Sequence, residues 1–426
     1  MNEILTFWAQ WLRPSAGLPT VQWSLLLAAA TMAGYLCQRH IGLPKVVGYS
    51  LVGTFAGFAG FSGALWPLQG IGLFLLELGM ALVLFECGGR IPLRWFRHNP
   101  MVLVQSVAES ALTFFAVYWV LMWLGVPERA AAPLAIVALA ASPAVLTRVV
   151  NDTRAAGPVT ERAIVLATLS TLYALTLGSA QAEVINRTAL TWLDTAYPVM
   201  VVLGVSIAVA AMLSIALRIA LRFMSPTSEN TSILLLTLIA AGTAVAAHMG
   251  GSAPLAALLG GMLLKQFNPR PWAWPRQLGT ASSLLTMLMF VLVSTVAAQA
   301  DWSGPVAGVV LALIGARLLA KVVGVALGNV GSGASWRQAL WVGAAMTPMS
   351  SIALLIASQF VVASPSTGHL IAQIALPAIL LMEVLGAVIA TVAIYRAGES
   401  SKPWAPLMNH NNGTSASAST GDSRET

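Results

Sequence analysis

The hydrophobic positions of this chain do not follow a helical or strand period; they come in solid blocks. Apolar runs about twenty residues long recur from residue 21 to residue 395, divided by short polar stretches. A run of that length crosses a hydrocarbon layer of roughly 30 Å as an α-helix, because a helix satisfies its backbone hydrogen bonds internally. The pattern predicts thirteen spans, at 21–38, 42–61, 69–89, 99–125, 131–149, 162–180, 195–217, 231–249, 251–266, 279–300, 304–328, 337–361 and 368–394. The ninth is short for a full crossing. Residues 1–20, which open with "MNEILTFWAQWLRP", read as an interfacial segment, 21–396 as one membrane domain, and the polar, low-complexity residues 397–426 as a disordered tail.

Two spans are interrupted by proline among small polar residues. "ALAASPAVLTRVV" contains Pro143, and "GAAMTPMSSIALL" contains Pro348. A proline inside a helix removes a backbone hydrogen bond and frees a carbonyl. Within a membrane such groups survive only against protein or water, and the hydroxyls of Ser142, Thr147, Thr347, Ser350 and Ser351 stand nearby to serve them. The breaks fall in spans five and twelve, which an inverted repeat of spans 3–7 and 10–13 would superimpose. Paired interrupted spans mark a transporter's substrate site. Between them, "LALIGARLLAKVVGVAL" carries Arg317 and Lys321 on one helical face. A charge at that depth costs roughly 2.5–3.5 kcal/mol on insertion scales, so it implies function or pairing. Arg317 reads as one member of a structural ion pair, and Lys321, nearer mid-span, as the mechanistic residue.

Composition agrees with the block pattern. Of 426 residues, 58% are hydrophobic and 9% charged, which excludes an ordinary soluble domain. With thirteen crossings, the N-terminus and even-numbered loops hold three Lys or Arg (Arg13, Arg129, Arg187) and the opposite set seventeen; Arg317 and Lys321 lie within a span. Positive residues gather on the cytoplasmic side, so the N-terminus is expected outside and the C-terminus inside. The +7 net charge is therefore topological and implies no nucleic-acid partner. Cys37 and Cys87 have no metal-binding spacing, and no catalytic triad, phosphate loop or dinucleotide fingerprint is present. No enzyme activity, cofactor or metal is expected.

Five stretches carry a resemblance. "GLPKVVGYSLVGTFAG" (42–57), "LLELGMALVLFECGGRI" (75–91), "ASPAVLTRVV" (141–150), "GGSAPLAALLGGMLLKQF" (250–267) and "LMEVLGAVIATVAIYRAGE" (381–399) resemble, in order and spacing, the monovalent cation:proton antiporter family, specifically its Kef-type second branch. The resemblance implies an all-α inner-membrane protein with an inverted repeat and two crossed discontinuous helices. It also implies a homodimer, in which a core (about 99–180 and 304–394) moves against panel or dimerisation helices to exchange protons for Na⁺ or K⁺. Lys321 matches the family's basic position.

One feature departs from that family. The helix after the first break normally carries one or two acids, and "LATLSTLYALTLG" (166–178) has Ser170 and Thr171 there. A carboxylate suits antiport because a proton and a cation compete for one negative charge. Neutral hydroxyls cannot carry that proton. Three readings are open: the acid has moved to another helix, the protein transports without protons, or it is a transport-inactive relative with a regulatory or structural role. Glu109 in "SVAESALTFF" is the first candidate for a moved acid, flanked by Ser106 and Ser110. Glu77, Glu86 and Glu383 come next; Glu86 has Arg90 four residues on as a partner, Glu77 faces the core, and Glu383 suits a panel or dimer interface. Tyr173 reads as packing beside the vacated site.

Overall fold

The structure is a computed structural model describing residues 18–61, 70–91, 93–186, 192–225, 228–267, 276–300, 302, 304–349 and 351–401. Residues 1–17 of the expected interfacial segment, with Arg13, as well as Arg187, Ser350 and the tail beyond residue 401, lie outside them, while residues 18–20 open the first helix. The regular elements among the described residues are helices. They run α1 (Leu18–Leu36, closing in a π-turn, Cys37–Ile41), α2 (Lys45–Phe58), α3 (Gly70–Gly89), α4 (Leu93–His98) and α5 (Met101–Trp123). Next come α6 (Glu128–Leu139), α7 (Pro143–Thr153), α8 (Pro158–Val184), α9 (Trp192–Phe223), α10 (Glu229–His248) and α11 (Ala253–Phe267). The chain continues with α12 (Arg276–Ala298), α13 (Gly304–Leu327), α14 (Trp336–Ala345), α15 (Ser351–Ala363) and α16 (Pro365–Arg396). Eight helical segments among the described residues are long and apolar enough to cross a membrane, and α11 and α15 are shorter apolar helices.

The predicted fifth and twelfth spans are each two half-helices, α6/α7 and α14/α15. Their position gives the chain a repeated order of one helix, one broken helix and one helix: α5, α6/α7, α8 and then α13, α14/α15, α16. Pro143 stands at the first break. It is the first residue of α7, where its missing N–H is not needed, and Ser142 caps that helix by accepting from Val145 N at 3.3 Å. Pro348 lies in the non-helical link between α14 and α15. The two breaks touch: Ser142 N donates to Pro348 O at 3.0 Å.

The hydrophobic arrangement of α5 is inverted relative to a soluble helix. Gln105, Ser106, Glu109, Ser110 and Thr113 form its buried face, while Val104, Val107, Phe115, Trp119 and Trp123 are exposed. A helix surrounded by lipid presents apolar side chains outward and keeps polar ones against protein. That polar face meets α13, its closely packed partner. Contact is possible because α13 and the residue after it offer glycine there: a Cβ on Gly324 would stand 2.6 Å from Glu109 Cα, and one on Gly328, just past α13, 2.6 Å from Gln105 Cα. Small residues admit close helix approach in membranes, where the hydrophobic effect does not drive helices together. Gly324→Ala is expected to push α5 away and cost about 1–3 kcal/mol, the usual cost of overpacking. Thermal unfolding in detergent checks this, with Gly315→Ala, which meets open space, as the neutral control.

The chain just past α16 positions α8. The Glu399 carboxylate accepts from Val159 N and Thr160 N at 2.8 and 2.7 Å, at the start of α8. A negative side chain there complements the unpaired N–H groups of the first turn. The helix carrying Ser170 and Thr171 is thereby tied to the closing helix.

Candidate functional site

A helix leaves its last carbonyls without internal partners, and α6 ends in the middle of the protein, away from water. Four successive carbonyls from that end each receive a side-chain donor. Arg317 Nε and Nη2 donate to Ala138 O and Ala140 O, each at 2.9 Å. Ser170 Oγ donates to Leu139 O at 2.7 Å, and Thr171 Oγ1 to Ala141 O at 2.7 Å. Arg317 also reaches the second break, where Nη1 donates to Thr347 O at 2.5 Å. Arg317 is thus not a member of an ion pair among the described residues; its planar fork staples the two breaks through three backbone carbonyls.

Lys321, one turn further along α13, stands at the centre. Its Nζ lies 2.5 Å from Glu109 Oε1, 3.2 Å from Leu139 O and 3.2 Å from Ser170 Oγ. Thr113 Oγ1 donates to Glu109 Oε1 at 3.1 Å, and Ser110 Oγ to Oε2 at 3.2 Å. Glu109, Lys321, Arg317, Ser170 and Thr171 are all fully buried. Lys321 thus faces the carboxylate, and both cations face the carbonyl end of α6, whose partial negative charge favours them. The helix carrying the acid is α5, while α8 supplies hydroxyl donors. An ionised acid at residue 170 would face the Leu139 carbonyl, acceptor to acceptor.

The remaining candidates disperse. Thr347 Oγ1 turns back to Ala344 O at 2.9 Å, and Thr147 lies a turn beyond the first break, 4.0 Å from Cys87 Sγ. The carbonyls of residues 138–141 at the end of α6 are served by Arg317, Ser170, Thr171 and Lys321. Glu86 pairs with Arg90 at 3.0 Å, as the four-residue spacing suggests. Glu77 is exposed and lines a cavity of about 600 Å³ rather than facing the core. Glu383 is buried at a separate place. Tyr173 does more than pack, since its hydroxyl accepts from Ser106 Oγ at 3.4 Å. Thr113 escapes a reading of the sequence, although its place four residues after Glu109 puts it on the same helical face.

The large cavity has walls from the first part of α3, the ends of α10 and α12, the start of α11, and α15 and α16. It includes Ser351, the first residue of α15 after the second break. At the other end of the molecule, Arg148 on α7 donates to Ser283 and Thr286 on α12, at 2.9 and 3.2 Å, and Lys45 N at the start of α2 donates to Asp152 at 3.0 Å.

The sequence profile of a family described as "Sodium/hydrogen exchanger, transmembrane" matches residues 27–396. The chain belongs to the sodium/hydrogen exchanger family. Members of this family are multi-pass membrane transporters and not enzymes. Among solved structures, the chain is similar to the sodium proton antiporter MjNhaP1 from Methanocaldococcus jannaschii at pH 8, with 16% identity, a TM-score of 0.68, and coverage of 89% of this chain and 98% of that one. An electron-microscopy map of the same antiporter gives 17% identity, a TM-score of 0.69, and coverage of 92% and 100%. At such identities the likeness is one of fold. No curated protein sequence matches the chain. Within this exchanger fold, the centre formed by Lys321, Glu109 and Ser170 is where two broken helices, a buried base and a buried acid coincide.

Proposed function

We propose that this exchanger moves a monovalent cation, Na⁺ or K⁺, against protons, using the acid on α5 in place of the one absent from α8. The observation that carries the reading is that Lys321 Nζ contacts both Glu109 Oε1 and Ser170 Oγ. The carboxylate and the hydroxyl at residue 170 thus meet at one ammonium, which supports the reading. A cation bound at Glu109 displaces the lysine ammonium from its partner. A buried ammonium without a partner is costly and sheds its proton readily. One cation enters and one proton leaves, so the net charge of the site is unchanged. Ser110, Thr113, Ser170 and the Leu139 carbonyl supply neutral oxygens around the cation.

In this reading α5–α8 and α13–α16 form the moving core, and α1–α3 with α9–α12 the panel. The protein crosses the inner membrane thirteen times with its N-terminus outside, as the lysine and arginine distribution supports, and works as a homodimer, as the family resemblance supports. The cavity then opens outward, while Arg148 and Asp152 close the cytoplasmic side.

Proton release tests the site without requiring transport. Adding NaCl or KCl to the purified chain in weak buffer is expected to acidify the solution, choline chloride is not, and Glu109→Gln is expected to abolish the response. Release that persists undiminished in Glu109→Gln would remove Glu109 from the site.

A further inference from the structure

One buried carboxylate takes no part in that site. Glu383 on α16 is fully buried, and its polar neighbours are Ser294 on α12 and Ser50 on α2. Ser294 Oγ donates to Oε2 at 3.1 Å. Oε1 of Glu383 and Oγ of Ser50 are both buried and both lack a hydrogen-bond partner among the described residues. An ionised carboxylate offers about four acceptor sites, and here one is used.

Among the described residues no cation pairs with this acid. On the helices packed against α16, Arg317 and Lys321 are held at the breaks and Glu109. Arg148 is held by Ser283 and Thr286, and Asp152 by Lys45 N at the first turn of α2. Tyr49 stands near the start of α2. Glu128, Arg129 and Arg337 stand in the first turns of α6 and α14, and His369, Tyr395 and Arg396 near the ends of α16. An uncompensated charge at such depth is expensive.

We propose that Glu383, with Ser50 and Ser294, is a proton-binding site separate from the Lys321–Glu109 pair and occupied in the state seen here. A proton on Oε1 makes that oxygen a donor toward Ser50 Oγ and removes the unpaired charge. The site lies in a seam. One turn on, α16 packs on the second break, where a Cβ on Gly386 would stand 2.6 Å from Pro348 Cα. On the other side α2 and α12 close together, with a Cβ on Gly53 standing 2.9 Å from Ser294 Cβ. Loss of the proton places a charge in this seam and favours parting of α16 from α2 and α12. That coupling rests on the exchange reading above; the proton site itself does not.

Infrared spectroscopy of the purified full chain reads a protonated carboxyl directly, whether or not ions move. A deuterium-sensitive carboxylic-acid stretch is expected at neutral pH in the wild type and in Glu109→Gln. It should be lost in Glu383→Gln and shifted in Ser294→Ala, which removes the bond to Oε2 and keeps the test informative if Glu383→Gln fails to fold. No such band in the wild type, or a band unchanged in both variants, overturns the site. In proteoliposomes Glu383→Gln, locked neutral, is expected to flatten the pH dependence of exchange, and an unaltered profile overturns the coupling. Absence of exchange in the wild type would instead count against the function proposed above and leave the infrared result to decide the site.

Discussion

A Lys321→Met chain is expected to show no cation-driven proton movement and to lose roughly 3–5 kcal/mol of stability, the scale of removing one partner from a buried ion pair. Methionine keeps most of the side chain's volume, so the loss reports the ammonium and not a cavity. Glu109 then remains fully buried with only Ser110 and Thr113 as polar partners. The double variant Lys321→Met/Glu109→Gln removes both charges and is expected to regain most of the stability while remaining inactive. The two quantities therefore separate: folding needs the charges to match, and exchange needs both to be present. Thermal unfolding of the two single variants and the double variant gives the coupling energy as a double-mutant cycle.

Arg317 is expected to matter more for the shape of the site than for its chemistry. Arg317→Met leaves three buried carbonyls, those of Ala138, Ala140 and Thr347, without their donor. Hydrogen bonds to a charged group contribute roughly 1.5–3 kcal/mol each. Losing three is a large fraction of the ~5–15 kcal/mol that holds a typical fold together. Arg317→Lys is the sharper test, because it keeps the positive charge but not the planar fork that reaches both breaks. It is expected to be clearly destabilised, though less than Arg317→Met, and to lose exchange because the two breaks no longer share a common staple. A Lys variant as stable as the wild type would show that charge alone holds the breaks.

Much of this architecture is legible in the chain. The apolar blocks coincide with helices because lipid demands continuous apolar length, and that demand is written directly into the residues. The absence of an acid at residues 170 and 171 is equally plain, as is Glu109, a carboxylate at mid-span. The partner of each backbone carbonyl is not legible. Every residue carries one, so nothing in "ALAASP" announces that Arg317, Ser170 and Thr171 will cover residues 138 to 141. The role of Arg317 is hidden for that reason: a buried arginine suggests a carboxylate, and here the end of a helix supplies the negative charge. Pro143 marks the break directly. A serine followed by proline is a helix start, with the cap and first residue in order. The sequence reading turns Glu77 toward the core, whereas cavities depend on how helix ends diverge, which no local pattern records.

The most direct test of the account is ion exchange by the wild-type chain. Purified protein, shown to be folded, is reconstituted into proteoliposomes carrying a pH gradient, and Na⁺, K⁺ and Li⁺ are added in turn. At least one of Na⁺ and K⁺ is expected to dissipate the gradient, Glu109→Gln and Lys321→Met are expected not to support this, and Ser170→Ala to retain it in part. A folded wild-type protein that moves no protons with any of the three cations would contradict the exchange reading.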